Sequence, residues 1–381
     1  MQRRLVILAI SLTLCLLLSI LPIAADESEE ALTMPPAYGE LEEVLPPEIT
    51  DLLPDGLFSE DLATSLEATR SMTEWEFLLD TLLCALGVGF SDTVGLFCSL
   101  LGMILVASVF HTFQKSVGGR SGEMLDFCIR LGVYAAIALQ TVGMVETVKT
   151  YFSRVGSLMQ AMIPVMGGLY AMGGNLGEAA AGSELVLVFL SVCEYVSATV
   201  TPPVCALCMA FALMDAFGTS VSLAPLAARI KGCYTGILGL LTFLVSLALS
   251  AQSVITSRAD TLGMKGIKYA VGQMLPVVGG AVAGTLGSVA DGISALRGVC
   301  GVSGIILLVL LLLPALIKLL LGRFSLSLVS TVASILGCDG EAKLLTEMAS
   351  LYGYLAAAVA ICSVLFVLAL SLLIHSGVAL A

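Results

Sequence analysis

Val302-Ser303-Gly304-Ile305-Ile306-Leu307-Leu308-Val309-Leu310-Leu311-Leu312-Leu313-Pro314-Ala315-Leu316-Ile317-Lys318-Leu319-Leu320-Leu321 is a run of 20 residues with a single charge, Lys318. A helix of that length rises about 30 Å, the hydrocarbon thickness of a bilayer. Further apolar stretches lie at 93–110, 129–148, 185–217, 237–254 and 351–374. The whole chain of 381 residues is 58% hydrophobic and 12% charged, with a mean hydropathy of +1.03. Backbone polar groups in lipid must be satisfied within the segment, which selects helices over isolated strands. The reading is an all-α polytopic membrane protein with six to eight membrane segments, some broken or re-entrant.

Within these stretches one sentence is written twice. Met162-Ile163-Pro164-Val165-Met166-Gly167-Gly168 and Met274-Leu275-Pro276-Val277-Val278-Gly279-Gly280 are offset by 112 positions, and Pro202 and Pro314 share that offset. Matched helix-breaking residues in two halves are a signature of internally duplicated membrane proteins. Proline removes a backbone donor, and a glycine pair permits a sharp turn or close helix approach. Pro164, Gly167, Gly168, Pro202, Pro276, Gly279, Gly280 and Pro314 are therefore the candidate pore or hinge positions. Two breaks meeting at the centre of the molecule would shape a site; ordinary packing kinks are the plain alternative, since Pro and Gly are frequent in membrane helices.

The N-terminus is read apart from the fold. Arg3 and Arg4 precede an apolar stretch from Leu5 to Leu21, and Ala24-Ala25 offers a small-residue cleavage point before Asp26. Residues 26–80 then hold 16 of the 29 acidic residues and one basic residue, Arg70, so the net charge of −12 resides almost wholly there. Prolines 35, 36, 46, 47 and 54 suggest an extended, mobile tether, with short amphipathic helices from residue 59 onward. An acidic segment of this kind argues against nucleic acid as a partner. The basic stretch Lys115, Arg120 and Arg130 belongs in the cytoplasm by the positive-inside tendency. Arg229/Lys231 and Arg258/Lys268 flank one apparent span, so one of these clusters would have to lie in an interfacial helix. The chain divides into a signal peptide (1–25), an acidic extracytoplasmic segment (26–80), a first membrane hairpin (81–145), membrane repeat one (146–254) and membrane repeat two (255–381).

Three charges fall in apolar surroundings: Glu194, Asp215 and Lys318. Intramembrane ionisable groups pair, or else mark an ion path. A pairing of Glu194 or Asp215 with Lys318 is one economical arrangement; snorkelling from helix ends is the bland one. The 11 cysteines include one close pair, Cys205 and Cys208, and none between residues 26 and 83, which gives no extracellular disulfide framework. His111 and His375 are the only histidines, too few for a recognisable zinc motif. No phosphate-binding loop, nucleophile elbow or metalloprotease motif is present. Neither a catalytic residue nor a cofactor is expected.

The order of these features resembles the stage III sporulation protein AE family. The resemblance rests on the signal, the acidic segment and residues 253–320: a polar 256–268 stretch, the Pro276 break, Asp291 with Ile293-Ser294, Gly301 and Gly304, and Pro314-Ala315-Leu316-Ile317-Lys318. The apolar span 366–375 also fits. It implies a non-enzymatic subunit of a secretion- or channel-like complex between mother cell and forespore, sitting in the mother-cell membrane around the forespore. Its expected partners are other membrane proteins of that complex, the lipid bilayer and a membrane insertase. A stand-alone secondary permease for a small solute or ion is the competing reading, and a purely structural anchor a third.

Overall fold

The computed structural model describes residues 33–117, 119–172, 199–216, 225–237 and 279–375, with positions 192, 195, 223, 239, 240, 243 and 247. Residues 1–25 (the expected signal peptide), Glu194 and Pro276 lie outside these residues. Among the described residues the architecture is helical, with one isolated antiparallel bridge, Thr33 to Asp61. Three single-turn helices open it: α1 (Pro36–Gly39), α2 (Leu41–Val44) and α3 (Pro47–Thr50). Next come α4 (Leu62–Thr73), α5 (Trp75–Val117), α6 (Gly119–Met172) and α7 (Thr201–Ala216). A helical stretch at 225–237, α8 (Gly279–Ile335) and α9 (Asp339–His375) complete the order.

Among the described residues four helices are long and apolar enough to cross a membrane, and Thr201–Asp215 is a shorter apolar one. The 43 residues of α5, 54 of α6 and 57 of α8 far exceed the roughly 20 that a bilayer requires. The apolar stretch at 129–148 thus continues as one helix through Pro164. The 302–321 run likewise lies within a single longer helix. The buried residues of α6 explain why: Val148, Tyr151, Phe152, Val155, Leu158, Met159, Met162, Val165, Met166 and Leu169 recur every three or four positions, the stripe of one continuous helix.

α8 packs most extensively on α9, and then on α5 and α6. The apolar windows of α8 and α9 are 67% and 78% buried, against 17% and 28% for α5 and α6. The α8–α9 pair is therefore the core, while α5 and α6 turn apolar side chains such as Phe90, Val109, Leu131 and Leu139 outward.

The acidic segment departs from the expected tether. Pro36 and Pro47 stand at the starts of α1 and α3, where proline's missing N–H costs nothing and its fixed φ favours a helical turn. Tyr38, Leu41 and Met72 are fully buried. α1 and α2 rest on α6, and α4 rests on α8. Residues 33–73 form a cap over one end of the bundle. The proline count suggested extension, but turn-initiating prolines with apolar residues behind them fold onto a surface instead.

Candidate functional site: polar pairs inside an apolar bundle

Pro164 lies inside α6 and Pro314 inside α8, and both helices run through them. Each proline is exposed on the outer surface. Neither proline interrupts its helix, and Pro276, the counterpart of Pro164 in the repeated sentence, lies outside the described residues. Long helices already propagated on both sides carry a proline at the loss of one bond. Pro202 and Pro203 stand near the start of α7, which follows directly on the helical residues 199 and 200. Gly279 and Gly280 lie in α8, and Gly167 and Gly168 lie in α6.

Other glycines make the close contacts. A Cβ on Gly304 would stand 2.8 Å from Met162 Cε, and one on Gly322 would stand 2.7 Å from Tyr352 Cε1. A Cβ on Gly89 would meet Ile317 Cγ2 at 2.8 Å. By contrast nothing lies within 4 Å of a Cβ on Gly167, and Gly168 would find Pro35 Cβ at an ordinary 3.8 Å. The signal for Gly304 was present in the run that opens α8's core-facing half. Its contact partner, 142 positions away in sequence, was not.

The Gly89 contact decides where Lys318 goes. With α5 and α8 drawn together there, Lys318 Nζ donates to Asp92 Oδ2 at 2.8 Å. The pairing of Lys318 with Asp215 is therefore corrected. Asp215 serves its own neighbourhood: its Oδ1 accepts the Leu223 N–H at 2.6 Å. A carboxylate at the end of α7 satisfies a nearby backbone donor more readily than it reaches a distant lysine.

A second charged pair was missed in the sequence. Lys231, 9% exposed, donates from Nζ to Glu347 Oε2 at 3.1 Å and to Ser350 Oγ at 3.5 Å. Tyr354 hydroxyl donates to the Lys231 carbonyl and accepts from Thr235 Oγ1, and Tyr234 hydroxyl pairs with Thr201 Oγ1. These bonds join α7, the 225–237 stretch and α9. Elsewhere Tyr151 hydroxyl pairs with Ser363 Oγ at 2.6 Å, joining α6 to α9.

At the capped end, Tyr38 hydroxyl donates to Ser303 Oγ at 3.1 Å. Burial holds its phenol well above the ordinary tyrosine range, and the bond to Ser303 offsets this only in part. Arg297, 2% exposed, donates from Nη2 to the Leu169 carbonyl at 3.4 Å. A buried guanidinium thereby reaches a backbone carbonyl of α6 and ties that helix to α8. What these groups do together is fix helix against helix: each pair satisfies a polar group that lipid would not.

A model of the stage III sporulation protein AE family matches residues 58–377. No curated protein matches the chain, and no solved structure does.

Proposed function

Because the chain belongs to the stage III sporulation protein AE family, its role lies in sporulation, and we propose that it acts as a membrane subunit of a channel- or secretion-like complex between mother cell and forespore. In this reading it is non-enzymatic, and it sits in the mother-cell membrane with the cap outside the cytoplasm. The observation that carries the proposal is the docked cap. Glu40, Glu42, Glu43, Asp51, Asp55 and Glu60 are exposed on a segment whose apolar side chains are buried against α6 and α8. An acidic surface held rigidly above a membrane bundle is preorganised for a basic protein surface, which lowers the ordering cost of association.

The basic α5–α6 junction, with Lys115 and Arg120, lies at the end of these helices remote from the cap. That separation supports a cytoplasmic junction and an extracytoplasmic cap. The outward apolar faces of α5 and α6 would meet lipid or the helices of neighbouring subunits. The test is affinity purification of the tagged chain from sporulating cells after mild crosslinking. Recovery of other membrane proteins, lost when Glu40, Glu42 and Glu43 are changed together to Gln, is the expected result. Recovery of the chain alone, coupled with solute uptake by vesicles containing only this protein, would establish the permease reading instead.

A further inference from the structure

The end of the bundle remote from the cap brings together three metal-ligating side chains from separate parts of the chain. α8 stops where Gly337 turns left-handed, at φ 75°. There the Cys338 N–H donates to the Ala333 carbonyl at 2.9 Å and the Gly337 N–H to the Ser334 carbonyl at 3.1 Å, the bonding of a Schellman stop. The Cys338 carbonyl in turn accepts the Ala342 N–H at 2.9 Å. One residue thus closes α8 and opens α9, and its side chain is buried at the hinge. Three positions on, Glu341 is 0% exposed. His111 arrives from α5 with Nε2 at 3.5 Å from Glu341 Oε1. The His111, Cys338 and Glu341 donor atoms all lie within 4.8 Å of one another.

A second observation points to a ligand: Glu341 Oε2 is buried and has no hydrogen-bond partner. A carboxylate oxygen left bare in a low-dielectric site is costly unless a cation satisfies it. We propose that His111 Nε2, Cys338 Sγ and the Glu341 carboxylate bind a divalent transition-metal ion of the zinc class. One imidazole, one thiolate and one carboxylate suit a borderline ion, whereas calcium and magnesium take oxygen donors alone. Tetrahedral bonds of about 2.0–2.3 Å set donors ~3.5 Å apart, so side-chain rotation over about an ångström closes the set. His111 keeps 15% side-chain exposure, which leaves an entry route and a fourth position for water.

Burial pushes the Cys338 thiol up; the Glu341 and Asp339 carboxylates add to this, while Arg130 opposes it. A metal takes the place of the thiol proton, which is released on binding. The bound ion ties the far end of α5 to the α8–α9 hinge. His111 is too far in sequence from Cys338 for any spacing motif to reveal the set.

The test uses the full chain purified in detergent under reducing conditions. After loading with Zn2+ and desalting, elemental analysis should find one ion per chain, and Co2+ should produce a thiolate-to-metal charge-transfer band. Cys338→Ser should abolish that band, while Cys98→Ser, at an exposed cysteine on α5, should leave it intact. His111→Ala should weaken Co2+ binding by about tenfold or more, and Glu341→Asp, which keeps a carboxylate, should retain the band in a chain that elutes normally. A wild-type chain that retains no metal would overturn the site. So would a charge-transfer band that survives in Cys338→Ser.

Discussion

At the scale of single residues, what a side chain does here depends on what stands opposite it. Tyr352 is fully buried, and its hydroxyl donates to the Gln140 carbonyl at 3.4 Å, so its ring cannot slide away from a Cβ on Gly322. Gly322→Ala should cost about 1–3 kcal/mol through overpacking, read as a lower unfolding temperature in detergent. Gly167→Ala meets open space and should be neutral or stabilising by up to about 1 kcal/mol, the helix-propensity gain. The reverse ranking would restore the repeated Gly pair as the critical contact. Lys231 supplies a sharper test. Lys231→Met leaves Glu347 without its cation; Glu347 keeps 34% side-chain exposure, so a loss of about 2–3 kcal/mol is expected, below the range for fully buried pairs. Adding Glu347→Gln should recover most of it, and a double variant no more stable than Lys231→Met would show that the pair is not the source of the loss.

At the scale of elements, the sequence was legible in its apolar runs and much less so in its punctuation. Spans near 93–110, 129–148, 302–321 and 351–374 were visible because 20 apolar residues admit no soluble alternative. Their extension into helices of up to 57 residues was not, since Pro164 read locally as a break and only neighbouring helices decide whether a proline is carried. The cap was misread for a related reason: Pro36 and Pro47 disfavour helix interiors but begin helical turns well. Tyr38 pins that cap to α8 through Ser303. Tyr38→Phe removes one bond while Ser303 keeps the Cys300 carbonyl at 3.1 Å, so a loss of about 1 kcal/mol is expected. Since the folded phenol titrates above its free value, its contribution is complete below pH ~10 and declines as pH rises beyond it. Protease cleavage within residues 33–73 should therefore accelerate above pH ~10 in the wild type. In Tyr38→Phe the cleavage rate should lose that pH step, and a step that persists would assign it to another group.

At the scale of the whole molecule, the distribution of charge separates a subunit from a permease. Three carboxylates of the membrane helices already have partners: Asp92 holds Lys318, Glu347 holds Lys231, and Asp215 accepts the Leu223 N–H. Coupled transport requires a carboxylate that changes protonation or ion occupancy in each cycle. Asparagine at 215 retains an oxygen that can accept the same backbone bond, so Asp215→Asn should preserve both protein level and sporulation. The exposed acids of the cap make no such structural bond to the bundle, and their value lies in what meets them from outside. Changing Glu40, Glu42 and Glu43 together to Gln should leave abundance and unfolding temperature near wild type while sporulation falls and membrane partners are lost on purification. Raised salt should weaken the same association in the wild type, because an exposed charged interface is screened over about 10 Å at 0.1 M. If Asp215→Asn abolishes sporulation at normal abundance while the triple Gln variant sporulates fully, the charges that matter lie in the membrane and the molecule is a transporter.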